Sequence, residues 1–152
     1  LGDTGRGYKY MNVRRWSRKF DVFALDKIFC PVNLHNTHWT LLVIYMQRKE
    51  AVYYDSMSGS GREQLAHVKQ WLMDEHKDKK KAEYDISEWK FYSADQATTP
   101  QQRNGFDCGV FTCMNADFIS DNLDLAFTQD DMPMFRQKIA ANVLRGSLPY
   151  PL

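Results

Sequence analysis

Apolar and polar positions divide the middle of the chain into short segments with β-strand character. Residues 39–45 are apolar on both alternating faces, which is the pattern of a central strand covered on both sides. A polar, turn-like stretch at 47–50 separates them from a second apolar segment at 51–55. The two segments predict an antiparallel hairpin whose open end places His38 and Asp55 almost opposite each other.

Two further strands are indicated on either side of this hairpin. Residues 27–33 are apolar and rich in strand-forming types, and Pro31 inside them favours an edge or irregular strand because proline cannot donate a backbone hydrogen bond. Residues 89–93 form a shorter candidate strand.

Three helices are predicted by apolar residues that recur at intervals of three and four. The apolar positions are Leu65, Val68, Trp71 and Leu72 in the first, Val110, Phe111, Met114 and Phe118 in the second, and Met132, Phe135, Ile139 and Val143 in the third. Pro133 is acceptable in the first turn of the last helix, and Gly146 lies near its end. Strands in the middle with helices gathered later predict an α+β fold.

Length and charge restrict the classes of protein that fit. The 152 residues suit one domain, and a formal net charge of +1 gives no overall field to hold nucleic acid or a membrane surface. Three cysteines are too few and too irregularly spaced for a disulfide scaffold, which fits a reducing, intracellular compartment. No apolar run reaches the roughly 18 residues of a membrane span.

Cys108 is a candidate nucleophile because it follows the polar loop 98–107 and begins a predicted helix. A thiol at a helix N-terminus faces unpaired amides and the positive end of the dipole, which favour the thiolate. Asp107 is a candidate N-cap, and as a partly solvated carboxylate it would oppose this effect. The alternative is that Cys108 is a small buried residue at the start of a helix.

Three other polar residues complete a candidate catalytic set. His38 at the mouth of the hairpin is a possible base, and Asp55 could fix its ring orientation. Gln102 in the loop before Cys108 could donate its amide to the oxygen that becomes negative when the thiolate attacks a carbonyl, with the backbone N–H of Cys108 as a second donor. Taken singly, each of the three is more often an ordinary surface or turn residue.

A metal site is the competing interpretation of the same region. It would use His35, His38, Cys108 and Cys113. Their spacing matches no common zinc motif, so no metal and no cofactor is expected.

Together the motifs resemble the SUMO-specific Ulp/SENP-type cysteine proteases. The matching segments are His38-Trp39, the sequence Tyr-Asp-Ser-Met at 54–57, and Pro-Gln-Gln-Arg-Asn-Gly-Phe-Asp-Cys-Gly at 100–109, in the family's order His, Asp, Gln, Cys. The similarity extends from Arg14 through 127–136, nearly the whole chain. It implies the papain-like/adenain-like cysteine protease fold, with a central mixed or antiparallel sheet flanked by helices.

The resemblance also implies a role for each residue. His38 is the general base, Asp55 its orienting partner, Cys108 the nucleophile and Gln102 the oxyanion donor. The positions that match the family's narrow channel for a Gly-Gly tail are Thr37, Trp39, Met57 and Gly105. The implied activity is cleavage after the C-terminal Gly-Gly of SUMO in precursors and lysine conjugates, by a monomer that is nuclear or at the nuclear envelope.

One departure from the family leaves alternatives open. Its members have further catalytic-domain sequence before the segment matching Arg14, with a tryptophan that closes the channel opposite Trp39. Residues 1–152 are therefore expected to be a single catalytic domain lacking its N-terminal segment. The alternatives are a catalytically incomplete fragment that binds a ubiquitin-like protein, and a protease for a Nedd-type ubiquitin-like protein.

Overall fold

The computed structural model describes residues 7–146 and contains a four-stranded mixed sheet. Its strands are β1 (Lys27–Leu34), β2 (His38–Tyr45), β3 (Glu50–Tyr54) and β4 (Lys90–Ser93), side by side in chain order. The first three are antiparallel neighbours, whereas β4 runs parallel to β3. A parallel neighbour requires a crossover connection, which the chain makes through a helix.

Over the range of residues that the structure describes, four α-helices accompany the sheet: α1 (Tyr10–Val13), α2 (Arg62–Lys80), α3 (Cys108–Ser120) and α4 (Met132–Arg145). Short 3-10 turns lie at Val22–Ala24 and Gln129–Asp131. The crossover helix α2 is followed by Lys81 in the left-handed conformation, and Gly146 ends α4 in the same way. None of the helices in the described part of the chain has both the length and the apolar character needed to cross a bilayer.

The two faces of the sheet are covered by different helices. Leu42 and Ile44 point with Tyr53 toward α2, whose Val68 and Leu72 are fully buried against them. Leu41 and Val43 lie on the other face with Ile119 of α3. A third apolar cluster joins α3 to α4. From Thr40 onward β2 is buried on both sides, so the strand is held firmly between two layers close to its start.

The strand predictions agree with this arrangement. β2 is central and buried, and Pro31 lies in β1, an edge strand of the sheet. The hairpin register pairs Leu41 with Tyr54, so its continuation places Asp55 opposite Thr40, two residues from His38.

One predicted core position differs from the structure. Val143 is 73% exposed, because the contacts between α4 and the α3 cluster end at Ile139. The apolar spacing along α4 therefore extends one step further than the part of the helix that packs against α3.

Candidate active site

His38 and Asp55 meet where β2 begins and β3 has just ended. The ring Nε2 of His38 lies 2.7 Å from Oδ1 of Asp55. The same carboxylate accepts the backbone N–H groups of Met57 at 2.8 Å and Gly59 at 3.1 Å. Asp55 is buried, and the two amides hold it in place independently of the histidine.

The other ring nitrogen of His38 has no such partner. Nδ1 is buried, and it makes no hydrogen bond within residues 7–146. With Nε2 engaged by Asp55, Nδ1 is the nitrogen left to exchange a proton.

Gly59 allows the carboxylate to occupy this position. A Cβ atom at residue 59 would lie 2.2 Å from Oδ2 of Asp55, far closer than such atoms approach. The sequence indicated only a break between elements here, so this requirement for a glycine was missed. An alignment of relatives could have shown it, but the spacing of one sequence could not.

Cys108 is the first residue of α3, and its side chain is buried. The helix packs on β2, and a Cβ atom added at Gly109 would come 3.8 Å from Cδ1 of Trp39. The residue after Cys108 therefore lies beside the residue after His38. Thus the start of α3 adjoins the start of β2.

Gln102 is fixed by hydrogen bonds on both sides of its amide. Its Oε1 accepts the Ser56 hydroxyl at 2.6 Å, and its backbone N–H donates to the Ser56 carbonyl at 2.9 Å. Its Nε2 donates to the Asn104 carbonyl at 2.5 Å. Since Ser56 follows Asp55, these bonds connect the loop before Cys108 to the end of the hairpin.

Asp107 differs from the sequence prediction. It occupies the N-cap position of α3, but its side chain makes no capping bond. It is also buried instead of partly solvated, and it forms an ion pair with Arg136 of α4. Burial acts to raise its pKa, but hydrogen bonds from Asn104, Arg136 and Gln129 outweigh this effect and lower the pKa below its usual range.

The predicted substrate-contacting residues lie at the surface around this region. Trp39 and Met57 are 44% and 57% exposed. Thr37 is exposed, and its hydroxyl donates to the Leu34 carbonyl. Gly105 is exposed too, and a Cβ atom there would touch nothing within 4 Å, so local packing does not explain a glycine.

An apolar groove of about 520 Å³ begins at Trp39. It runs between the sheet and α3, and its lining includes Pro31, Trp39, Phe106, Val110, Cys113 and Ile139. Within the described residues, no group of three histidine, cysteine or acidic side chains is placed to hold a metal ion.

The structure thus brings part of the predicted set into direct contact. His38 and Asp55 are hydrogen-bonded, and Gln102 is joined to Ser56 next to them. Cys108 lies on the neighbouring helix start. The supporting contacts of Gln129 and Arg136 were missed, because these residues lie more than twenty positions after Asp107 in the chain. The contact of Asn104 within the loop was missed as well.

Comparisons with known proteins identify the same family that the sequence motifs resemble. Residues 3–147 match the sequence profile of the Ulp1 protease family, C-terminal catalytic domain. Sentrin-specific protease 2 from Pongo abelii is 38% identical over 139 residues, which cover 91% of this chain and 23% of that protein.

Two solved structures are also similar. A SUMO protease Ulp1 with its catalytic cysteine oxidized to a sulfonic acid is 33% identical, with a TM-score of 0.77 over 90% of this chain and 62% of that chain. The C-terminal Ulp1 protease domain in complex with Smt3, the yeast ortholog of SUMO, is 33% identical. Its TM-score is 0.76, and the match covers 90% of this chain and 61% of that chain.

The mixed sheet flanked by helices is therefore the papain-like α+β cysteine protease fold, as the resemblance implied. The chain belongs to the Ulp1 protease family. It spans about a quarter of the length of the first curated relative, 23%, and about three fifths of the two solved chains, 62% and 61%.

Proposed function

We propose that this chain carries the catalytic site of a SUMO-specific cysteine protease. The observation that carries the proposal is the hydrogen bond between His38 and Asp55, which leaves Nδ1 of the ring without a partner among residues 7–146. Gly109, the residue after Cys108, lies beside Trp39, the residue after His38. Membership of the Ulp1 protease family supports the same reaction class.

In this reaction the Cys108 thiolate attacks the carbonyl carbon of the substrate's terminal glycine. The C–N bond breaks, His38 gives its proton to the leaving lysine amine or peptide nitrogen, and a thioester remains on Cys108. Neutral His38 then takes a proton from water, which attacks the thioester and releases the glycine carboxylate. Asp55 holds the ring in one orientation throughout.

Negative charge develops on the carbonyl oxygen in both steps. The proposed donors to this oxygen are the side-chain amide of Gln102 and the backbone N–H of Cys108. Loss of one such donor typically costs about 2.7 to 4 kcal/mol of barrier. No metal or cofactor enters this mechanism.

The proposed substrate is a SUMO-type protein and its conjugates. Thr37, Trp39, Met57 and Gly105 are proposed to line the channel for its Gly-Gly tail, where glycine fits because side chains would not. The solved complex of the related Ulp1 domain with Smt3, the yeast ortholog of SUMO, supports this choice. An intracellular, nuclear or nuclear-envelope location and a monomeric state complete the proposal.

A mechanism-based probe tests the activity. The chain, and a version extended at its N-terminus, are incubated with SUMO carrying a C-terminal vinyl sulfone, and intact mass is measured. We expect one covalent adduct, lost in Cys108→Ala and kept in Cys113→Ser, a matched change of an exposed thiol on the same helix. Absence of an adduct on both wild-type forms would end the protease proposal.

Parallel probes separate the alternatives. Faster reaction with a Nedd-type or ubiquitin tail would transfer the substrate assignment to that protein. Binding of SUMO without an adduct would instead support a binding module.

A further inference from the structure

We propose that Gln129 and Arg136 are positioning residues that hold the Asp107 carboxylate away from the first amides of α3. This inference rests on the proposed function, because those amides include the N–H of Cys108. Neither residue would touch the substrate.

The first amides of α3 lack the partner that an N-terminal aspartate usually provides. An aspartate at the N-cap normally accepts the N–H of the second or third helical residue. Here Asp107 accepts neither, and no acceptor among residues 7–146 takes the N–H of Cys108 or Gly109. In the part of the chain that the structure describes, the amides at the proposed oxyanion position are therefore available to a substrate oxygen.

The carboxylate is instead held by donors from outside the helix. Nε2 of Gln129 donates to Oδ2 at 2.7 Å, as does Nδ2 of Asn104, also at 2.7 Å. Nε of Arg136 donates to Oδ1 at 3.0 Å, and its Nη2 makes a second, short bond to the same oxygen. Because both carboxylate oxygens already accept hydrogen bonds, turning Asp107 toward the helix start would break them.

Gln129 also supports the other proposed oxyanion donor. Its Oε1 accepts the backbone N–H of Arg103 at 2.8 Å. The next residue, Asn104, accepts the side-chain amide of Gln102 through its carbonyl. One glutamine side chain thus ties the loop of Gln102 to the carboxylate beside Cys108.

Release of Asp107 would harm catalysis in two ways. A freed carboxylate would cap the helix by accepting the N–H of Gly109 or Val110, which would place an acceptor beside the Cys108 N–H that is proposed to bind the substrate oxygen. It would also bring a negative charge next to an oxygen that becomes negative in the transition state. Both effects act on the transition state, so kcat should fall while KM changes little.

The local fold allows Gln129 to be changed without losing its turn. The turn Gln129–Asp131 is capped by Thr128 and Asp131. The Thr128 hydroxyl oxygen accepts the backbone N–H of Asp130, and the Asp131 carboxylate accepts the backbone N–H of Thr128. The side chain of Gln129 takes no part in this cap. Gln129→Met removes both of its hydrogen bonds and keeps a similar volume.

The experiment compares two reactions of Cys108 in the form of the protein that reacts with the SUMO probe. Hydrolysis of a fluorogenic SUMO C-terminal amide needs the oxyanion donors, whereas alkylation by iodoacetamide does not. For Gln129→Met we expect kcat to fall about 10- to 100-fold, with KM and the alkylation rate within about 3-fold of wild type. Asp130→Ala, which removes only an exposed ion pair in the same turn, should match wild type.

Gln129→Glu gives a pH signature. It keeps the acceptor for Arg103 but places a carboxylate against Asp107, so kcat should be low at pH 8. Its kcat relative to wild type should rise as the pH falls to about 5.5, because a protonated glutamate beside a carboxylate can donate as glutamine does. The ratio for Gln129→Met should stay flat.

Three results would overturn the inference. The first is a kcat of Gln129→Met within about 2-fold of wild type. The second is an equal loss of hydrolysis and alkylation with a lowered Tm, which would make Gln129 merely structural. If wild type itself hydrolyses no substrate, the proposed function fails, and this inference fails with it.

Discussion

At the scale of single residues, the orientation of Asp55 depends on the missing side chain at Gly59. Gly59→Ala would put a methyl group 2.2 Å from Oδ2, so the carboxylate must move relative to His38. Because misplacement by about 1 Å can cost about 100-fold, we expect kcat to fall by about that factor. Steady-state kinetics with the fluorogenic SUMO amide measures this effect, and Ser60→Ala on the same exposed loop is the control. Wild-type kcat in Gly59→Ala would contradict it.

Cys30 and Cys113 should react slowly with a thiol reagent at neutral pH. Burial raises the pKa of Cys30 to about 11, and partial desolvation of the thiol together with the nearby Asp117 raises the pKa of Cys113. Both are therefore neutral thiols at pH 7.5, and their alkylation should speed up about tenfold per pH unit below their pKa. Peptide mass mapping after brief iodoacetamide treatment at pH 7.5 should find label at Cys108 first. Equally fast labelling of Cys113 would contradict the assignment.

The sequence could predict some of these residue contacts and not others. His38 and Asp55 lie two positions apart at the open end of one hairpin, so their proximity follows from strand pairing. The surroundings of Asp107 come from Gln129 and Arg136, which reach it through the packing of α4 on α3. Local propensity favoured a helix cap for Asp107, and these tertiary contacts prevailed over it.

At the scale of elements, the segment before β1 is anchored on α2 by polar contacts. Glu75 is 1% exposed and accepts the hydroxyl of Tyr10 at 2.8 Å and that of Ser17. Tyr8 and Arg14 bind the neighbouring acids Asp74 and Asp78. A buried carboxylate is tolerated only with such donors, so this contact specifies where α1 lies.

Ser17→Ala tests this anchor. The substitution removes the hydroxyl that donates to Oε1 of buried Glu75, so this oxygen loses that hydrogen bond. We therefore expect the free energy of unfolding to fall by about 1 to 3 kcal/mol. Urea unfolding should show a lower midpoint with an unchanged slope. Ser87→Ala, at an exposed position, should change stability by less than about 0.5 kcal/mol. Equal stability of the two variants would contradict the expectation.

The elements found by periodicity are those that bury one face or both. α2, α3 and β2 have regular apolar patterns because each packs against a layer of the core. α1 has only four residues and a single buried side chain, Val13, so no pattern could reveal it. Its position is set by hydrogen bonds to α2 instead.

At the scale of the whole molecule, the candidate site lies where the layers of the fold meet. β2 begins there, β3 ends there, and α3 starts beside them. His38, Asp55 and Cys108 lie at or next to element ends beside the buried core, which restricts their movement, whereas Gln102 lies in a loop and is held by hydrogen bonds. α4 contributes from outside this region through Arg136, which joins the outermost helix to the loop before Cys108.

This ion pair should make stability depend on pH. Asp107 has a folded-state pKa below the ordinary 3.8, so its contribution is present above that value and is lost as the pH falls through the lower folded pKa. Arg136→Met leaves the buried carboxylate without its cation, and we expect a loss of about 2 kcal/mol at pH 7. The loss should shrink below pH 4, because a protonated Asp107 no longer needs the arginine.

Urea unfolding of wild type and variant at pH 7 and at about pH 3 measures this difference. Lys138→Met is a matched control, since it removes one positive charge from the same helix and breaks an ion pair whose side chains are 44% and 38% exposed. Such an exposed pair contributes at most about 1 kcal/mol, so its removal should matter little at either pH. An Arg136→Met effect equal at both pH values would show that the arginine stabilises the protein by packing and not through the charge of Asp107.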